Sequence, residues 1–153
     1  MNQSSKISNV SIQDTTVLVP VTAKGYAQEI VIGPHHLHAD EPVASGGTAI
    51  GPSPYDFVLA ALGACTSMTV GMYARRKNWP FEGIVVRLRH SKVYADDCRG
   101  CDTKEGILDQ IDRELELVGP LSDEQRTKLL EIAEKCPVHR TLKSGINIRS
   151  QLA

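Results

Sequence analysis

The apolar run at residues 57–74 constrains this chain more than any other feature. Gly63, Cys65, Thr66, Ser67, Thr69 and Gly71 interrupt it, which makes it too polar for a membrane span and suits it to a buried helix. Ser53-Pro54-Tyr55-Asp56 supplies a start signal: Ser favours the N-cap, Pro suits the first helical position, and Asp at the third can return a capping hydrogen bond. Arg75, Arg76 and Lys77 complement the negative end of the helix dipole, so the helix is expected to stop near Lys77. Its middle is apolar almost all round, which predicts a central, buried position. Gly63, Ser67 and Gly71 lie four apart and form a stripe of small residues. That stripe suits either close approach of another helix or packing on a sheet.

The remaining pattern supplies the sheet. Residues 16–22 and 26–38 alternate and are separated by Lys24-Gly25, which predicts a β-hairpin. Residues 40–54 are rich in Gly and Pro and read as a loop. Residues 84–95 and 108–118 alternate as well, with Ile111, Arg113, Leu115 and Leu117 on one parity. They predict two long antiparallel strands joined by a polar loop at 96–106. Ser122 with Gln125 forms a capping box for a second helix. Leu129, Ile132, Ala133 and Cys136 fall on its apolar face, and Pro137 disrupts it. Residues 145–152, with Ile146 and Ile148 alternating, predict a final strand. The expected order is β-β-α-β-β-α-β, an α+β domain with a mainly antiparallel sheet.

With 153 residues the chain suits one domain, expected over 16–153 behind a flexible segment 1–15. The formal net charge of -1 gives no long-range field for nucleic acid or an anionic membrane, so neither is an expected partner. Residues 1–15 are polar and lack the apolar core of a secretory signal, and a cytoplasmic location is the expectation. In that reducing compartment the cysteines at 65, 98, 101 and 136 point to chemistry or metal rather than to a disulfide framework.

Cys65 lies mid-way along the first helix and Cys136 closes the second. Either can be a small buried hydrophobe or a redox thiol. Cys65 is twelve residues from Ser53, on the order of 18 Å along the axis. The dipole fades within a turn, so a side-chain cation or donor has to activate Cys65. At a helix C-terminus the Cys136 thiolate is disfavoured, which suits a resolving thiol. If Cys136-Pro137 opens a new turn, that argument reverses.

Gly51-Pro52-Ser53-Pro54-Tyr55-Asp56, then Leu62-Gly63-Ala64-Cys65-Thr66-Ser67-Met68-Thr69, then Cys136-Pro137-Val138-His139-Arg140-Thr141-Leu142 resemble the OsmC/Ohr family of osmotically inducible and organic hydroperoxide resistance proteins. The likeness runs from about Tyr26 to the C-terminus, and the Cys-Pro-Val-His context resembles the OsmC-like branch. It implies an intertwined homodimer with thiol-peroxidase sites at the subunit interface. Cys65 matches the peroxidatic position and Cys136 the resolving one. The implied substrates are organic hydroperoxides, and an external dithiol, such as a lipoyl group, is the implied reductant. No haem, flavin or metal cofactor is implied.

The chain departs from the peroxidase pattern in two places. That branch carries an arginine in its N-terminal strands, whereas this chain has none before Arg75 and reads Tyr26-Ala27-Gln28 in the comparable strand. It also carries a glutamate where this chain has Tyr55. Asp56 is nearest, but nine helical residues place it about 180° around the axis from Cys65, so capping is its expected work. Arg113, His139, Arg140 and His35 remain candidates to support Cys65. Arg113 falls on the apolar parity of its strand and needs a partner if it points inward. The alternatives are an edge position for Arg113, solvated turn positions for His139 and Arg140, and a strand-surface position for His35.

Cys98-Arg99-Gly100-Cys101 could be half of a zinc site, a redox pair or an accessory loop, and no second ligand pair stands nearby. His36 and His38 share a face if extended, with no cysteine or carboxylate expected beside them. A non-peroxidase binding or thiol-transfer protein on the same fold, or a zinc-binding interaction module, are the competing functions.

Overall fold

The computed structural model describes residues 16–20, 24–95 and 106–152 of the chain, which divides between Phe57 and Val58 into two compact units. The first unit carries strands β1 (Thr16–Pro20), β2 (Gln28–Ile32) and β3 (His35–Ala39) in an antiparallel sheet of order β1-β2-β3. The alternating segment 26–38 is therefore two strands rather than one. Gly33-Pro34 makes a two-residue turn between them, with Ile32 opposite His35. Gly33 has a φ of 56°, open to glycine without a Cβ clash.

The loop that follows is organised by Asp40, whose side chain is almost fully buried. Its carboxylate accepts from the Thr48 hydroxyl at 2.6 Å and from the Thr48, Glu41 and Ile50 amides. Gly47 and Gly51 pass close against backbone here. A Cβ on Gly47 would sit 1.8 Å from the Glu41 carbonyl oxygen, and one on Gly51 would sit 2.3 Å from that of His38.

Helix α1 (Pro54–Arg76) begins at the expected box. The Ser53 amide and hydroxyl both donate to the Asp56 carboxylate, at 2.9 and 2.7 Å, and the Asp56 amide returns to Ser53 Oγ. By length and composition α1 is the one helix among the described residues that could cross a membrane. It is nevertheless used as a core helix: Val70 and Ala74, both fully buried, join Leu121, Leu129 and Ala133 in one cluster. Its burial follows a single stripe (Leu62, Thr66, Val70, Gly71, Ala74) rather than the whole circumference. Met68 and Met72 on other sides are 71% and 59% exposed, because no described part of the chain covers them.

The second unit pairs β4 (Gly83–Tyr94) with β5 (Ile107–Val118) in a long antiparallel hairpin. Cross-strand pairs Ile84–Leu117, Val86–Leu115 and Leu88–Arg113 share its more buried face. A Cβ on Gly63 would lie 3.0 Å from Leu88 Cδ1, so the small-residue stripe serves sheet packing at that point. Helix α2 (Asp123–Ala133) has the full capping box, Ser122 with Gln125. It ends sooner than its apolar periodicity suggests. Cys136 is not at its C-terminus but is the N-cap of a third helix, α3 (Pro137–Ser144). Pro137 has no amide to continue α2, yet its fixed φ suits the first turn of a new helix. Residues 145–152 form no strand: Ile146 and Ile148 are exposed, and alternation without a pairing neighbour makes no ladder. The architecture is α+β with antiparallel sheets, with one more strand at the front, one fewer at the end, and an extra short helix.

Candidate thiol site

Fully buried Thr66 and half-buried Cys65 are neighbours on α1, and fully buried Cys136 heads α3. Both thiols are free, and each perturbs the ionisation of the other. The environments differ. Burial and then the neighbouring Cys136 thiol hold the Cys65 thiol above its ordinary value, against weaker help from the Val138 amide and Thr69. Burial also opposes the Cys136 thiolate, but donors outweigh it. Cys65, the His139 and Val138 amides and the Thr66 hydroxyl bring Cys136 below its ordinary value. The His139 amide reaches Cys136 Sγ at 3.5 Å. A sulfur capping a helix N-terminus faces unsatisfied N–H groups and the positive end of the dipole. The C-terminal placement expected for Cys136 is thus overturned, and the electrostatic argument built on it reverses.

Arg113 points inward. Its Nη1 donates to Thr66 Oγ1 at 3.0 Å and to the Ala133 carbonyl at 3.3 Å. The apolar parity of its position is thereby explained: the guanidinium reaches from β5 to the helix residue beside Cys65 and to the end of α2. His139 is half-buried, and burial followed by the charge of Arg113 lowers its imidazole pKa. Arg140 is exposed on α3 and lines a shallow groove with Pro137, Thr141 and Ser144. Asp56 is occupied by Ser53 in the cap. His35 is an exposed residue of β3, opposite Ile32.

A groove of about 480 Å³ opens beside Arg113 and His139, with Leu62, Ile111, Leu130 and Leu142 as its apolar walls. Thr66, a residue with no sequence motif of its own, receives the Arg113 guanidinium one position along α1 from Cys65. Its position four residues before Val70 on the buried stripe was the available signal. The Cys98–Cys101 pair and residues 1–15 lie outside the described residues. The His36–His38 face does contain a carboxylate. Glu29 stands opposite His38 and bonds His36 Nδ1 at 3.0 Å. No group of three or more metal-ligating side chains occurs among the described residues.

The antiparallel sheets, the long core helix with Cys65 and the short helix headed by Cys136 define an α+β protein of one particular fold class. The family profile described as OsmC-like protein matches residues 46–151, and the chain belongs to that family. Among solved structures, the OsmC-like protein from Mycoplasma pneumoniae is 20% identical, with a TM-score of 0.63 over 85% of each chain. An organic hydroperoxide resistance protein OsmC from Legionella pneumophila is 19% identical, with a TM-score of 0.60 over 85% of this chain and 90% of that one. The organic hydroperoxide resistance protein OhrB of Bacillus subtilis is 18% identical, with a TM-score of 0.57 over 85% and 91%. No curated protein matches the chain.

Proposed function

We propose that this protein is a cytoplasmic, homodimeric thiol peroxidase that reduces organic hydroperoxides through Cys65 and Cys136. The observation that carries the reading is a pair of free thiols, one partly exposed on α1 and one buried at the head of α3, near enough to perturb each other's ionisation. Cys65 sulfur attacks the terminal peroxide oxygen; the O–O bond breaks, and Cys65 becomes a sulfenic acid as an alcohol leaves. Cys136 sulfur then attacks Cys65, forming a disulfide and releasing water. Two electrons pass from the thiols to the peroxide, and an external dithiol, such as a lipoyl group, returns them by exchange. The groove beside Arg113 has Leu62, Ile111, Leu130 and Leu142 among charged neighbours, and those apolar walls suit the organic part of a substrate. Membership of a family with relatives named for organic hydroperoxide resistance supports the same reading.

Reaction of the reduced protein with cumene hydroperoxide, followed by thiol mapping in a mass spectrometer, tests it. The expected product is a Cys65–Cys136 disulfide, and Cys65→Ser is expected to abolish peroxide consumption. Undiminished consumption by that variant would refute the proposal.

A second reading is favoured by the raised pKa of Cys65 and by the absence of an arginine before Arg75. On it, the pair exchanges with substrate disulfides and ignores peroxides. Turnover with a small disulfide but none with any hydroperoxide would establish this alternative.

A further inference from the structure

Helix α2 ends without help from its own sequence, since no basic residue stands in its last turn. The last carbonyls of a helix lack intrahelical partners and carry the negative end of the dipole, so a cation is favoured there. Arg113 supplies it from β5. Its Nη1 donates to the carbonyl of Ala133, the final residue of α2, at 3.3 Å. The Cys136 amide donates to the same carbonyl, also at 3.3 Å. One acceptor therefore holds both the guanidinium and the backbone of the second cysteine. The same Nη1 also donates to Thr66 Oγ1 at 3.0 Å, and Thr66 directly follows Cys65 on α1. An unbroken run of hydrogen bonds thus joins the residue beside Cys65 to the backbone of Cys136. Leu88, the cross-strand partner of Arg113, reaches Gly63, so the hairpin meets α1 on both sides of Cys65. The planar guanidinium suits this bridge because its donors are fixed in direction. A hydrocarbon of similar length would fill the space and hold neither acceptor.

We propose that Arg113 is a positioning residue that clamps the two cysteine-bearing segments together and thereby governs closure of the Cys65–Cys136 disulfide. This rests on the reading of the two thiols as a reacting pair, which the peroxidase proposal also needs. In the resolving step the Cys136 sulfur attacks the Cys65 sulfenic acid. The S–S bond forms, the S–O bond breaks, and the hydroxide leaves with the Cys136 thiol proton as water. The two sulfurs belong to different elements, so their approach depends on how α1 and the junction of α2 with α3 are held. The clamp grips that junction ahead of Cys136 and makes no hydrogen bond to α3 itself.

Glutathione buffers test the clamp without peroxide. Oxidised glutathione takes two electrons from the dithiol, giving the protein disulfide and two molecules of reduced glutathione. Acid quenching and mass spectrometry then give the fraction of Cys65–Cys136 disulfide at each buffer ratio. Arg113→Met and Thr66→Val are each expected to lower the equilibrium constant for closure roughly tenfold. The double variant is expected to lose no more than either single one, because both break the same bridge. Arg113→Lys is expected to recover part of the loss. Circular dichroism checks that each variant is folded, and Thr66→Val carries the test if Arg113→Met is not. An unmoved constant in a folded single variant, or losses that add in full in the double variant, would overturn the proposal. A wild type that closes no Cys65–Cys136 disulfide in any buffer would overturn both the clamp and the peroxidase reading.

Oxidation by cumene hydroperoxide in the presence of dimedone gives the second readout. Dimedone traps the Cys65 sulfenic acid in competition with Cys136, so the ratio of trapped protein to disulfide reports closure, whatever the rate of attack. That ratio is expected to rise about tenfold in Arg113→Met. A ratio equal to that of the wild type would overturn the clamp. If the wild type consumes no peroxide while the glutathione constants shift as expected, the peroxidase reading fails and the clamp survives.

Discussion

At the scale of single residues, an arginine where strand alternation asks for an aliphatic side chain proved the most informative departure from pattern. Arg113 stands opposite Leu88 on the more buried side of the hairpin, and hydrogen bonds to Thr66 and Ala133 offset its desolvation. Its neighbour His139 links the site to pH. Burial, and then the charge of Arg113, hold the folded imidazole below its ordinary pKa. The unfolded chain therefore binds more protons near and below that value, so stability is full above it and falls as pH drops toward the folded pKa. Chemical denaturation at mildly acidic and neutral pH should show a smaller acid loss in His139→Gln than in the wild type. Asp40 behaves alike at lower pH for a different reason. The Thr48 hydroxyl, together with backbone amides, lowers its pKa below 3.8 despite burial. That contribution is present above the unfolded value and is lost as pH falls through the folded one. Limited proteolysis of the loop at residues 40–52 should show Thr48→Val opening more readily in acid. The inward turn of Arg113 was legible from parity, but its partners were not, because hydrogen bonds between distant segments leave no local periodicity.

At the scale of elements, the strong local signals were read correctly. Reciprocal capping at Ser53–Asp56 and Ser122–Gln125 starts two helices as expected, and the long alternations of β4 and β5 form a hairpin. Ser122→Ala should cost about 1 kcal/mol, measured as a fall in the denaturation midpoint, because the Gln125 amide loses its acceptor. Gly119→Ala should also destabilise: φ is 125° there, and a Cβ would lie 2.3 Å from the Pro80 carbonyl oxygen. Alternation misleads where it runs past a turn or has no partner strand. Gly33-Pro34 punctuates residues 26–38 and was passed over, while residues 145–152 alternate with nothing paired beside them. Cys136 departs furthest from its expected place. Apolar periodicity does continue through it, since Leu129, Ile132, Ala133 and Cys136 are all buried, but Pro137 changes which helix it belongs to.

At the scale of the molecule, the OsmC-like fold was legible because three motifs in order identify a family, and the profile match over residues 46–151 agrees. Leu129, fully buried in the cluster with Val70 and Ala74, should lose roughly 2–5 kcal/mol on truncation to Ala in equilibrium unfolding. The bare apolar side of α1 is where the proposed homodimer has most to gain. Met68→Glu should weaken self-association in sedimentation, and an unchanged mass would place the contact elsewhere. The break between α2 and α3 has a mechanical consequence. Cys65 is set in a helix whose stripe is locked into the core, whereas α3 has no buried residue of its own and begins at the sulfur. One side of the pair is an anvil and the other a hinged arm. When the sulfurs join, the travel should fall on residues 137–144, and amide exchange should change there while the middle of α1 stays still.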